Sequence, residues 1–354
     1  MKKVVTMFLV AIGLTVQAQS LRDTTMQNMS KSIVMEVIEP IELDVSFASV
    51  VIMETNSGIV KSIVNLKRTG WGWIEDDDVK HYLAAGNRRA ALFLALLESG
   101  ASPNEMFYTS GIYTDPSTGY TIRDWHWSWG GLGNIPLSIA MDRSDVSIIE
   151  ACDQHFFHSV GDYAFYMSKT GINLGNKVPE DTYEYYSHAY ERTVWDPATI
   201  LGYRDKITPL EMTMWMQGVA NDGKMMQPRF YETDSVKIIY EQMAKKENID
   251  SLQMALREAV QYGMSKKVSS EYVPVYGTTN VSIENGEKDR CSMFSGYIPE
   301  YTITVNLVMS GSLIRIAPLR IAKKIVDWIA LNRLGIKEKP KTNHKKRPLP
   351  KGVD

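Results

Sequence analysis

Two apolar, β-rich runs, Val50–Glu54 and Ile59–Asn65, are separated by Thr55-Asn56-Ser57-Gly58. An Asn/Gly turn between such runs predicts a hairpin. Residues 87–98 change to helical spacing and stop at Ser99-Gly100; their second half is apolar on every side, which predicts a helix enclosed by the domain. The stretch 105–200 is loop-rich and aromatic, with helical spacing near 137–158 and 180–192. Thr208-Pro209, a capping residue followed by Pro at the first helical position, predicts a helix over 208–221, and a further helix is expected over 246–264. Strands are predicted at 272–283, 291–298 and 301–309, the last two joined at Pro299-Glu300. An amphipathic helix over 317–333 puts Ile321, Ile325, Trp328 and Ile329 on one side. A hairpin first, helices in the middle, then hairpins and a helix predict an α+β fold, an antiparallel sheet flanked by helices. Residues 19–45 read as a polar lead-in with little to bury, and no internal repeat is visible.

The ends carry their own signals. Lys2-Lys3, an apolar run from Val4 to Val16 and Gln17-Ala18-Gln19 predict a secretory signal over 1–18 cleaved after Ala18. An uncleaved anchor would need about 20 apolar residues. A periplasmic protein without stable membrane insertion is therefore expected. The body is expected at 46–335, followed by a Lys- and Pro-rich tail, 336–354, too polar to order itself. The 354 residues carry a formal charge of −2. The two leader lysines and a tail with seven basic and two acidic residues supply +7 of that, leaving about −9 for the rest. Such a body lacks the basic face that nucleic acid requires. Cys152 and Cys291 are either one disulfide or two buried thiols.

Five segments, in order, resemble one family. Leu201-Gly202-Tyr203, Thr208-Pro209-Leu210-Glu211, Ala220-Asn221-Asp222-Gly223-Lys224 and Pro228-Arg229 are similar to a stretch of penicillin-binding-protein transpeptidase domains. Ala48–Asn65 resembles their first hairpin, and Gly119–Gly133 the Ile-x-Asp-Trp stretch before the second catalytic motif. Lys169–Leu174 resembles a Thr-Gly-Ile-Asp-Leu turn, and Phe294-Ser295-Gly296-Tyr297-Ile298-Pro299 resembles Phe-Val-Gly-Tyr-x-Pro. The resemblance spans about residues 46–332 and implies the penicillin-binding transpeptidase and serine β-lactamase fold, without the family's N-terminal pedestal.

It also implies a chemistry that this chain lacks. Ser-x-x-Lys places hydroxyl and amine one helical turn apart, so that the amine can take the proton. Counting back from Glu98 and Gly100 puts Gly86 at the serine and Arg89 at the lysine; a shift by one puts Asn87 and Ala90 there. No Ser in the chain has Lys three positions later. At the Ser-x-Asn motif stands Ser144, with Asp145 or Val146 in place of Asn. At Lys-Thr-Gly stands Val275-Tyr276-Gly277-Thr278, while the literal Lys169-Thr170-Gly171 falls where the resemblance predicts a turn. Loss of such a nucleophile costs about a million-fold, and further losses add little because the groups act as a unit.

The sequence therefore predicts a pseudoenzyme with no catalytic residue, cofactor or metal, whose partner is a peptidoglycan stem peptide or a cell-wall synthesis protein. The alternative is an active D,D-transpeptidase or carboxypeptidase using an unrecognised nucleophile. Arg88 and Arg89 are either a solvated pair or, in the sharper reading, place Arg89 in the old cleft against Asp145; a peptide carboxylate is another candidate partner for its guanidinium fork. Trp125, Trp127 and Trp129, with Tyr183, Tyr185, Tyr186 and Tyr190, are expected to pack around the cleft, with sugar stacking as the alternative. His155 and His158, i and i+3 beside Cys152 and Asp153, fall short of the three or four convergent ligands a metal needs.

Overall fold

The computed structural model describes residues 19–76, 82–83, 87–172, 195–203, 206–284, 289–310 and 312–336. The leader, the Tyr183–Tyr190 cluster, Gly86 and the tail beyond Ile336 lie outside them.

The frame is a six-stranded antiparallel sheet. Its first three strands are β1 (Val45–Glu54), β2 (Val60–Thr69) and β3 (Gly72–Glu75). A two-stranded ribbon pairs β4 (Tyr82–Leu83) with the later β9 (Lys206–Ile207). The small strands β5 (Met106–Thr109), β6 (Ile112–Thr114), β7 (Thr121–Arg123) and β8 (Gly133–Pro136) pair as β5–β8 and β6–β7. β10 (Met225–Met226) pairs with β11 (Ile238–Tyr240). β12 (Tyr276–Glu284), β13 (Asp289–Ile298) and β14 (Tyr301–Met309) complete the main sheet, whose order is β12-β13-β14-β1-β2-β3.

The helices are α1 (Thr24–Ile38), α2 (Arg88–Glu98), α3 (Leu137–Arg143), α4 (Asp145–Phe156), α5 (Val160–Ser168), α6 (Pro197–Ile200), α7 (Pro209–Ala220), α8 (Lys246–Tyr262) and α9 (Ala317–Asn332). They cover both faces of the sheet. Phe47, Val51 and Met53 of β1 enter the core shared with α2, α4, α7 and α8; Val50 and Ile52 enter the core shared with α1 and α9. A central strand buried on both sides reads as a continuous apolar run, the origin of the Val50–Met53 pattern. Enclosure also explains α2, in which Arg88 through Leu97 are all buried.

The sequence reading missed α1. Its apolar stripe is sparse, Met26, Met29, Val34 and Ile38, yet all four are buried and the helix packs on β2 and α9. Few side chains suffice because the helix lies flat on the back of the sheet and buries one face only. β12 begins at Tyr276, not at residue 272; Pro274 cannot donate to a ladder.

Thr208 caps α7 with a full capping box: its Oγ1 accepts from the Glu211 N–H at 3.0 Å and Glu211 accepts from the Thr208 N–H at 2.5 Å. Because α7 is the helix clasped between the sheet and α8, Thr208→Ala should lower stability by about 1–2 kcal/mol, read as a shifted urea midpoint at unchanged slope.

Candidate functional site

Two buried ends meet in the helical layer: the first turn of α2 and the elbow between α3 and α4. Arg89, on α2, is 6% exposed. Its Nη1 lies 3.3 Å from Asp145 Oδ1, and its Nη2 donates to the Asp142 carbonyl at 3.1 Å. The contact with Asp145 is ionic rather than aligned, since Asp145 Oδ1 accepts no hydrogen bond and Arg89 Nε donates none. The other carboxylate oxygen of Asp145 accepts from the Tyr203 hydroxyl at 2.5 Å. Asp145 thus joins α2 to the segment after α6.

A cation in the first turn of a helix faces the positive end of the backbone dipole. Burial adds to that cost and on its own lowers the Arg89 pKa, but the carboxylates of Asp145 and Asp142, with Asp124 further off, more than offset it and hold the guanidinium charged. The arrangement is a buried ion cluster.

Asp124 organises the other side. Its Oδ1 accepts from the Asp145 N–H at 2.8 Å and the Val146 N–H at 3.3 Å, and its Oδ2 accepts from Ser144 Oγ at 2.6 Å. Ser144 is the N-cap of α4, its Oγ accepting from the Ser147 N–H at 2.9 Å. Ser144, the serine expected at the second motif, is therefore fully buried, caps α4 and donates to Asp124. Opposite it, His126 Nε2 lies 3.6 Å from Asp124 Oδ2, and burial lowers the imidazole pKa. Asp142, beneath Arg89, accepts from the Met264 N–H at 2.9 Å, and a Cβ at Gly263 would stand 2.1 Å from its Oδ2. Burial raises the Asp142 pKa.

Burial and the neighbouring Asp145 charge raise Asp124 to about 6, against the hydrogen bond from Ser144 that pulls it down. A carboxyl raised in the folded state binds protons that the unfolded chain has released. Its contribution to stability is complete below about 3.8 and is lost as pH rises through about 6. Glu150 on α4, raised to about 7 by burial and by Asp124 and Asp153, extends that loss upward. Asp124→Asn is expected to flatten the pH 4–6 part of the stability profile; urea midpoints that keep the wild-type slope there would contradict it.

At the third-motif position the wall is apolar. Val275 is buried, and its carbonyl accepts from Arg257 Nη1 at 2.9 Å. Tyr276 stacks on Tyr297 at 4.7 Å and 4°, with the Arg257 guanidinium 5.5 Å from the Tyr276 ring. Gly277 faces Gly296 across the ladder, and a Cβ there would come within 2.7 Å of the Phe294 ring. Thr278 is buried and its Oγ1 makes no hydrogen bond.

The structure thus brings together Arg89, Ser144 and Asp145 from the expected site. Asn87, in the shifted register, is buried with an unpaired amide, and Ala90 is buried in the core. Sequence reasoning missed Asp124, Asp142, Tyr203 and Arg257. Asp124 had a signal, since it is the Asp of the quoted Ile-x-Asp-Trp stretch. Tyr203 lies in the quoted Leu201-Gly202-Tyr203 stretch, but nothing local links it to Asp145, 58 residues away.

The other candidates resolve separately. Cys152 and Cys291 are both buried and form no disulfide with each other; Cys291 Sγ donates to Asn306 Oδ1 at 2.8 Å, and burial raises the Cys152 thiol well above its usual range, the reverse of a reactive thiolate. His155 pairs with Glu105 at 3.1 Å and His158 with Asp153 at 3.7 Å; among the described residues no cluster of three ligands could hold a metal. Lys169-Thr170-Gly171 is a turn, with Gly171 at φ +69° and the Thr170 carbonyl accepting from Trp215 Nε1 at 2.9 Å. Trp125, Trp127 and Trp129, expected to pack inward, are 44%, 47% and 74% exposed. Their burial is prevented by the layer beneath them, whose inward positions are already filled by Phe107, Tyr113 and Ile122.

Comparison with known proteins bears on the fold and the family. The family model described as penicillin binding protein transpeptidase domain matches residues 90–331. Similar solved structures include a peptidoglycan glycosyltransferase from Burkholderia ambifaria (TM-score 0.74, 13% identity, 92% of this chain and 99% of that one). The apo transpeptidase domain of Burkholderia pseudomallei penicillin-binding protein 3 gives a TM-score of 0.72 at 15% identity, covering 91% and 97%. Penicillin-binding protein 3 from Mycobacterium tuberculosis, complexed with aztreonam, gives 0.72 at 17% identity, covering 90% and 79%. No curated protein sequence matches.

Proposed function

The chain belongs to the penicillin-binding protein transpeptidase domain family, and from that premise we propose that it is an exported, catalytically silent member that engages the cell wall or its synthesis machinery by binding. The observation that carries this reading is the Arg89–Asp145 pair at 3.3 Å, standing where acylation would need an amine beside a serine. Of the hydroxyls bonded into this cluster, that of Ser144 caps α4, and that of Tyr203 has its pKa raised well above its usual value by burial and Asp145. Neither is an activated nucleophile. The apolar Val275 and the Arg257–Tyr276–Tyr297 stack support the same reading on the far wall.

Of the two expected ligands, a stem peptide in the cleft or a partner elsewhere, the geometry favours engagement outside the Arg89 pocket. The guanidinium fork that would hold a peptide carboxylate is already committed to Asp145 and the Asp142 carbonyl. Export rests on the leader at 1–18, and among the described residues no helix is long and apolar enough to cross a membrane. Incubation with a stem pentapeptide ending in D-Ala-D-Ala tests the silence. Mass spectrometry should find the peptide intact; steady release of D-alanine would overturn the proposal.

A further inference from the structure

The hairpins β5–β8 and β6–β7 form a thin β-layer on α4. Its inner face is filled, with Phe107, Tyr113, Ile122 and Ile135 buried against the helical core. Its outer face is uncovered. Tyr108 is 62% exposed, and beside it the three indoles alternate with smaller residues along one turn. Trp125 and Trp129 meet edge to face at 5.4 Å and 90°, and the Arg123 guanidinium lies 5.6 Å from the Trp127 ring.

The display is rigid. Gly131 (φ +82°) lies so close that a Cβ would stand 2.1 Å from the Thr109 carbonyl oxygen, and one on Gly111 would stand 2.6 Å from the Trp127 Cα. The Asp124 N–H donates to the Gly111 carbonyl at 2.9 Å, so the platform begins one residue beyond the carboxylate that organises the cleft. Its charge is distinctive as well. Between residues 106 and 134 both carboxylates, Asp115 and Asp124, are buried, and Arg123 is the one exposed charge. An aromatic face carrying Arg123, on a body with excess acid, can accept an anionic group on a ligand. Exposed aromatic area of this kind marks a binding surface.

We propose that this outer face binds the glycan backbone of the cell wall, a β-1,4-linked strand of N-acetylated sugars bearing acidic peptides. Indole faces suit the C–H faces of pyranose rings; the hydroxyls of Tyr108, Thr114 and Thr121 border them for sugar hydroxyls and amides; Arg123 suits a peptide carboxylate. Fixed rings lose little conformational freedom on binding. The proposal rests on the reading that the protein engages the wall by binding, and it assigns that binding to the β-layer.

The test uses the full chain and a hexamer of N-acetylglucosamine, followed by calorimetry and indole fluorescence. Wild type should bind the hexamer, and the double variant Trp127→Ala/Trp129→Ala should weaken binding at least about ten-fold with an unchanged circular dichroism spectrum. Arg123→Ala should weaken binding of peptide-bearing glycan strands about three- to ten-fold, and more than it weakens binding of the hexamer. Failure of wild type to bind either ligand, or equal affinity in the double variant, overturns the proposal. So does self-association or binding to anionic vesicles that the double variant abolishes while no sugar binds. None of these results touches catalytic silence, which is read independently from covalent labelling and D-alanine release.

Discussion

A fluorescent penicillin should leave no covalent band on this protein after hours at saturating concentration. Loss of the nucleophile from a catalytic serine constellation lowers the rate by about a million-fold, and restoring one member of the set recovers little while the others are absent. On the proposed register several are absent together. The residue aligned with the lysine is a guanidinium held between Asp145 and the Asp142 carbonyl. It cannot act as a base, because it stays protonated throughout the accessible pH range. Ser144 could be acylated only by leaving α4 uncapped and abandoning Asp124, to which it donates at 2.6 Å. A labelled band that survives denaturing gels and maps to any Ser, Thr or Cys would sink the silent reading.

Arg89→Leu is expected to cost about 3–5 kcal/mol, the usual penalty for removing one partner of a buried pair. The loss is not mainly the Coulomb attraction. It is the cost of leaving Asp145, with Asp124 behind it, in a largely buried site whose remaining cation, Arg143, lies 3.8 Å from Asp142 Oδ2 instead. Asp145→Arg should be at least as damaging, because it sets two guanidinium groups against each other and breaks the hydrogen bond from Tyr203. Replacing both partners, Arg89→Leu with Asp145→Leu, should recover much of the loss, since apolar groups of similar volume substitute well for buried ions. Chemical denaturation at fixed pH measures all three. A charge reversal at Asp145 that left stability unchanged would show that the pair is incidental.

The fold was legible wherever local pattern and burial agree. The Val50–Met53 run, the all-round apolar half of α2 and the Thr208-Pro209 cap each follow from short-range physics; the structure places the two helices within a residue of expectation, while β1 starts at Val45, five residues before the expected Val50. What escaped was long-range. The α1 stripe is too sparse to announce itself, because the sheet supplies the rest of the interface. The Trp125–Trp129 alternation said that these residues share a surface but not which surface, since that depends on whether the layer below is already full. At the cleft, Arg89 and Asp145 could be paired on paper because the family's motif order names them. Asp142 and Tyr203 could not, as they arrive from separate elements and their role is set by the charge they meet.

The docking of α1 beside α9 fixes the polarity of the whole body. Arg333 Nη2 donates to Asp23 Oδ2 at 2.5 Å, and Lys324 and Glu36 bridge the same two helices at 2.7 Å. The segments leading to residue 23 and away from residue 333 therefore start from one side, the rear of the main sheet. The exposed indoles sit over α4, in the opposite layer. A fragment cut at residue 46 would lose α1 and leave α9 alone to cover the rear.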